Sequence, residues 1–162
     1  PEHALCIRYG ARLARFYGLP SRGGGSKSDV HFVSTLSGID SMLTMLTTCM
    51  EKMNIVVLSA GILDSAMAMS YEKFLLDEEA LAMIKRMMVP LEVSDDTLNL
   101  SAIEAVGIGG QFLTHPKTIE RCWKEFFIPE VMKRTNCPKW QAGGSKRIDE
   151  IASDVVRRRL TE

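Results

Sequence analysis

Asn54-Ile55-Val56-Val57-Leu58-Ser59 sets four consecutive large apolar residues between polar ends, with no alternation. A strand with one wet face alternates, whereas a parallel strand buried on both faces reads as a continuous apolar run. A second, shorter candidate strand opens Leu19-Pro20-Ser21-Arg22-Gly23-Gly24-Gly25-Ser26-Lys27-Ser28-Asp29 and gives way to a glycine-rich loop. Between them, Ser37 to Met53 has apolar residues at helical spacing. Strand, helix, strand is the grammar of a parallel sheet. Two parallel strands cannot bury both of their faces, so the pair is expected to complete a sheet supplied from elsewhere. A (β/α)8 barrel needs about 250 residues, and this chain has 162. It begins at Pro1 rather than Met, which leads us to expect a portion upstream. A mostly helical domain with a small sheet is the alternative fold.

The remaining pattern is helical. Glu2 to Tyr17 reads as a helix with Arg8, Arg12 and Arg15 on one polar face, Gly18 as C-cap and Pro20 beyond it. Met42, Met45, Leu46, Met50 and Met53 form a methionine stripe, expected as adaptable core. A further helix is placed near Asp77, with Asp77 as its cap, Glu78 and Glu79 at its positive end, and Lys85 and Arg86 at its negative end. Ser94-Asp95-Asp96 opens a helix reaching about Val106, before Gly107, Gly109 and Gly110. Thr114 is the expected cap of the next helix, with Pro116 in its first turn and Ile119, Cys122, Trp123 and Phe126 as its apolar stripe. Ser145 opens the last helix, with Ile148, Ile151, Ala152, Val155 and Val156 facing inward.

Composition narrows the function. Formal charge is zero, and no basic stripe suited to nucleic acid is visible. The Arg157-Arg158-Arg159 run is expected to be a solvated last helical turn. No apolar run approaches the ~20 residues of a membrane span, and no signal-peptide pattern is present. Cys6, Cys49, Cys122 and Cys137 form no C-x-x-C pair, so reduced thiols in a cytoplasmic protein are expected and no metal is assigned to the chain. The glycine-rich loop is not a P-loop, since G-x-x-x-x-G-K-[ST] is missing. It reads equally as a flexible turn or a ligand loop.

Four blocks together resemble the trimethylamine methyltransferase family. They are Gly18 to Ser26 with Asp29; Asn54 to Gly61, running on to Ser70-Tyr71-Glu72-Lys73-Phe74 and Asp77; Gly109 to Thr118; and Trp140 followed by Gly143 or Gly144. Their order and spacing cover nearly the whole chain. The resemblance implies a TIM barrel of which this is roughly the last third. Residues 1–110 would be the C-terminal part of the barrel, and 111–162 a helical extension packed on it. It implies transfer of a methyl group from trimethylamine, or a quaternary amine such as glycine betaine, to the cobalt of a cobamide carried on a separate corrinoid protein. It also implies a homo-oligomer. Pyrrolysine marks the trimethylamine enzyme proper in or near the stretch matching Arg22 to Gly25, which here holds ordinary residues. Relatives often carry a histidine near the end of the Asn54–Gly61 strand, where this chain has Leu58-Ser59. After His115-Pro116, a second histidine is common where Lys117 stands. Ser28 and Asp40 stand where Thr and Glu are expected.

Methyl transfer to Co(I) is an in-line displacement whose nucleophile belongs to the cofactor, so the protein supplies orientation and electrostatics. A quaternary ammonium is held by aromatic faces and carboxylates. The candidate substrate-binding residues are Arg22, Gly23, Gly24, Asp29, Ser59, Tyr71 and His115; no catalytic residue is assigned. Asp29 reads as a partner for the cation or as a cap of the following segment. Arg22 reads as a carboxylate holder or half of a structural ion pair. Tyr71 and Phe74 can line an aromatic wall, though packing suits Phe74 better. His115 can face a pocket, or cap or hydrogen-bond the glycine-rich turn before it. Glu72 and Asp77 read as helix-start residues. A non-catalytic betaine-binding or assembly module on the same scaffold is the alternative function, and an unrelated helical interaction domain is a third.

Overall fold

The computed structural model describes all 162 residues and mixes helix with short strands. Two compact units divide it: Pro1–Lys85 with Pro129–Glu162, and Arg86–Ile128. No helix is long and apolar enough to cross a membrane.

In the first unit, α1 (Glu2–Phe16) buries Ala4, Ile7 and Ala11, one stripe at helical spacing. Gly18, at φ +66°, ends it: its N–H and that of Leu19 donate to the carbonyls of Arg15 and Ala14, a Schellman closure. Arg8, Arg12 and Arg15 all reach Glu51 (3.2, 3.5 and 2.8 Å) and tie α1 to the residue that follows α2. β1 (Arg22–Gly24), α2 (Thr35–Met50) and β2 (Ile55–Val57) form the expected strand–helix–strand unit. The strands are parallel, with Arg22 opposite Ile55 and Gly24 opposite Val57.

Three features of this unit depart from expectation. Only Met45 of the methionine stripe is fully buried; Met50 is exposed. The buried face of α2 is instead lined by Ser37, Ser41, Thr44 and Thr48 around Met45. The threonines answer backbone carbonyls at and just beyond the end of β1: Thr48 Oγ1 donates to Gly24 O (2.6 Å) and Thr44 Oγ1 to Gly25 O (2.8 Å). Second, Ile55 and Val56 are exposed, because β2 has one strand neighbour within the chain and no layer over it. Third, an unanticipated hairpin follows, β3 (Ile62–Leu63) and β4 (Ala68–Met69), joined through Asp64–Ala66. These residues make no closed barrel.

α3 (Tyr71–Met87) starts six residues before the position expected from Asp77. Its first turn is held by Ser70, whose hydroxyl accepts from the Lys73 N–H (3.2 Å). Glu72 is a helix-start residue as expected, and Asp77 is not: it is buried inside the helix. α3 packs against α8 (Ile148–Thr161) through Leu75, Leu76, Ala152, Val155 and Val131. Ile148 is exposed, and Arg147 rather than Ser145 precedes the first turn. Between them lies α7 (Cys137–Ala142), which the sequence pattern did not distinguish. Arg158 and Arg159 pair with Glu130, as suits a solvated last turn.

The second unit holds α4 (Asp95–Leu98), α5 (Leu100–Val106) and α6 (Pro116–Glu125). Ser94 caps α4 as expected, but Asn99, at φ +50°, breaks the anticipated single helix in two. α6 is capped by His115, whose ring accepts from the Lys117 N–H (3.3 Å), and not by Thr114. Its stripe of Ile119, Cys122, Trp123 and Phe126 is exposed.

Candidate functional site at the strand ends

β1 and β2 finish side by side at Gly24 and Val57, and the chain turns outward into two loops, Gly25–His31 and Leu58–Gly61. The loops stay in register: Gly25 N–H donates to Val57 O (2.9 Å), Ser26 N–H to Ser59 O (3.3 Å) and Ser28 N–H to Ile62 O (3.3 Å). Gly25 permits this approach. A Cβ there would stand 2.5 Å from the Ser59 Cα, a backbone atom that cannot step aside. Gly25→Ala is therefore expected to cost about 1–3 kcal/mol of stability by overpacking, read from chemical denaturation, whereas Gly38→Ala, with open space around it, should be tolerated.

The hairpin tip clamps the first loop. Asp64, Ser65 and Ala66 lie at φ +50°, +53° and +73°, a left-handed run costing roughly 1–2 kcal/mol per residue. Three contacts hold it. Ser65 Oγ donates to Asp29 Oδ1 (3.0 Å), His31 Nδ1 lies 2.7 Å from Asp64 Oδ1, and Asp64 N–H donates to Val30 O (3.0 Å). Asp29 is thus fixed by Ser65 and does not cap α2, a role taken by Ser34 and Ser37 in a capping box.

Asp29 also lines a cavity of about 420 Å³ with His3, Lys27, Asp40 and Thr44. Asp40 accepts from Ser28 Oγ (2.7 Å). His3 titrates below its usual range, because partial burial disfavours its cation and Lys27 repels it. Carboxylate and ammonium groups therefore face one small space at the end of β1.

Beneath the second loop is a group that sequence reasoning missed. Lys73 Nζ donates to Ser41 Oγ (2.5 Å) and to both oxygens of Asp77 (2.8 and 2.6 Å), and Asp77 Oδ2 accepts the Gly61 N–H (2.8 Å). Lys73 is 1% exposed and Asp77 3%. Burial pushes the Asp77 carboxyl up, and Lys73 pulls it back. The cluster ties α2, α3 and the loop after β2 to one point. The available signal was the i, i+4 spacing of Lys73 and Asp77.

The other candidates are dispersed. Arg22 is exposed at the opposite end of β1 from the loop and has no ion-pair or side-chain hydrogen-bond partner. Gly23 is buried, with Met53 Cε 2.9 Å from where a Cβ would sit. Gly24 lies beside His3 and Lys27, and Ser59 is exposed at the strand end. Tyr71 opens α3 and lines a separate apolar crevice with Phe74, Leu75 and Val156. His115 belongs to the second unit. The structure therefore brings Gly24, Asp29 and Ser59 to the strand ends, and adds Lys27 and Ser65. Its four cysteines are unpaired.

Known proteins resemble this chain along its whole length. The sequence profile of the trimethylamine methyltransferase family matches residues 1–162. A glycine betaine methyltransferase from Desulfitobacterium hafniense is 41% identical over 140 residues, 86% of this chain and 29% of that protein. A trimethylamine methyltransferase from Methanosarcina thermophila is 33% identical over 156 residues, 96% of this chain and 32% of the relative. An L-carnitine:corrinoid methyltransferase from Eubacterium limosum is 30% identical over 139 residues, 85% and 29% respectively. The chain thus spans about a third of the length of the curated relatives it matches. With a match over every residue and relatives aligned across most of its length, the chain belongs to the trimethylamine methyltransferase family.

Proposed function

We propose that this chain forms the C-terminal part of a TIM (β/α)8 barrel enzyme that moves a methyl group from a methylated amine to the cobalt of a cobamide on a separate corrinoid protein. The supporting observation is the family match over all 162 residues. The parallel β1–α2–β2 unit is the repeating element of such a barrel, and the exposed Ile55 and Val56 suit a strand that further layers would cover. On this reading residues 1–110 complete the barrel, 111–162 form a helical extension, and the protein works in the cytoplasm as a homo-oligomer.

Barrel enzymes react at the C-terminal ends of their strands, where Asp29, Lys27, Gly24 and Ser59 lie. Asp29, oriented by Ser65, holds the ammonium of a trimethylamine-like or quaternary substrate and keeps the C–N bond aligned for displacement. When bound, the cobamide supplies the nucleophile. Asp29, Leu58 and Ser59 are exposed, so the strand ends are open to a cofactor presented by a second protein. Arg22 and Gly23, toward the other end of β1, and Tyr71, in its own crevice, are not assigned to this pocket, and His115 stays a proposed substrate-facing residue of the second unit.

The test is a backbone amide shift map with a methylated amine. Shifts should centre on Gly24–Asp29 and Ser59–Gly61, and a footprint elsewhere would remove the assignment. A non-catalytic betaine-binding or assembly module is the second reading, favoured by Leu58-Ser59 where relatives often carry histidine. It keeps the footprint and loses methyl transfer.

A further inference from the structure

We infer that Lys27 is the specificity-determining residue of this site, selecting methylated amines that carry a carboxylate over those that do not. This rests on the strand-end reading above and goes beyond it by choosing within the amine class. Lys27 is half-buried, and its ammonium has no carboxylate within ion-pair distance and no side-chain hydrogen bond. It folds across Gly24: a Cβ on that glycine would meet Lys27 Cε at 3.5 Å and His3 Nε2 at 3.4 Å, so the bare backbone makes room for the stem. Asp29 and Asp40 line the same cavity of about 420 Å³, a size within the ordinary range of small-molecule sites, about 300–1,000 Å³.

Three carboxylates line this cavity: Glu2 lies 3.4 Å from the Pro1 ammonium, and Asp29 and Asp40 each accept one serine hydroxyl. Asp40 Oδ2 accepts from Ser28 and Asp29 Oδ1 from Ser65, which leaves one oxygen of each without a hydrogen bond, and Asp29 is the more exposed of the two. His3 is pushed toward its neutral form, so Lys27 is the positive charge of this cavity among its side chains. A simple methylated cation held at Asp29 meets that charge as repulsion. A zwitterion with a carboxylate two or three bonds from its nitrogen meets it as a charge-assisted hydrogen bond. One group thus disfavours one substrate class and favours the other, which is how specificity arises from a difference of affinities.

The experiment is a titration of the full chain with glycine betaine and with tetramethylammonium, which share a quaternary ammonium and differ in the carboxylate. Wild type should prefer glycine betaine by at least about tenfold, the scale of one charge-assisted hydrogen bond. Lys27→Met should bring the ratio near unity, weakening betaine and strengthening tetramethylammonium, while Lys27→Arg should keep the preference. Lys27→Gln provides a polar control if the Met variant loses its fold, judged by its amide spectrum. Equal affinities in wild type, or a preference that survives Lys27→Met and Lys27→Gln, would overturn the role of Lys27 and leave the amine site standing. Binding of neither ligand would overturn the amine site as well.

Discussion

Replacing Lys73 by Met is expected to destabilise the first unit by about 3–5 kcal/mol, because it strands the Asp77 carboxylate in a site that water does not reach. Asp77→Leu combined with Lys73→Met should recover much of the loss, since an apolar pair of similar volume replaces the charges. Urea denaturation with an unchanged slope measures both. The pH dependence carries a definite sign. Burial already raises the Asp77 carboxyl, and removal of Lys73 takes away its principal counterweight. A group whose folded-state pKa is raised contributes stability that is present at low pH and lost as pH rises through that value. The deficit of the Lys73→Met variant should therefore shrink on acidification and be full at neutral pH. A single substitution within about 1 kcal/mol of wild type would show that the cluster does not hold the loop after β2.

Glu79→Ala is the second large effect. The Glu79 carboxylate accepts from three successive backbone N–H groups, those of Glu130, Val131 (2.6 Å) and Met132 (2.8 Å). Val131 is 2% exposed and sits in the apolar cluster that joins α3 to α8. Leaving buried donors without an acceptor costs about 1–3 kcal/mol each, and here two remain largely shielded from water. The expected loss is about 2–4 kcal/mol, with Glu79→Gln intermediate because one carbonyl oxygen remains. Hydrogen exchange should localise the damage, with faster exchange at Val131 and Met132 than at Ala11 or Met45. Uniform acceleration across the unit would contradict a local role.

The same contrasts show what the sequence could and could not reveal. α1 and its stop at Gly18 were legible because helix propensity, periodicity and a Schellman glycine agree locally. The order β1–α2–β2 was legible from an unbroken apolar run after a helical stretch. The start of α3 was misplaced because Asp77 followed by Glu78 and Glu79 imitates a helix start. Its burial depends on Lys73 one turn earlier and on Gly61 sixteen residues away. The hydroxyl face of α2 was overlooked in favour of the more conspicuous methionines. Its threonines donate to backbone carbonyls at the end of β1, and backbone acceptors leave no mark in a residue pattern. The sequence offers Thr114 as the cap and leaves His115 between a pocket and a capping role, and the structure gives His115 the capping bond.

The candidate site divides in the same way. Asp29 and the glycine-rich loop stood out by composition. Lys27 did not, since a lysine between two serines is ordinary until Gly24 and His3 surround it. Ser65 was invisible as a partner of Asp29, because only a left-handed turn at the hairpin tip carries it there.

Methyl transfer to cobalt is the decisive reaction to measure. The protein that contains this chain at full length, mixed with a corrinoid protein reduced to Co(I), should convert the cobamide to its methylated form when given a methylated amine. Carboxylate-bearing quaternary amines should lead the panel, and Asp29→Asn should lower kcat/KM. Methylation of the cobamide that tracks the amine supplied is the predicted result. Unchanged Co(I) across glycine betaine, carnitine and trimethylamine, with the amine bound at the strand ends, would contradict it and leave the non-catalytic reading in its place.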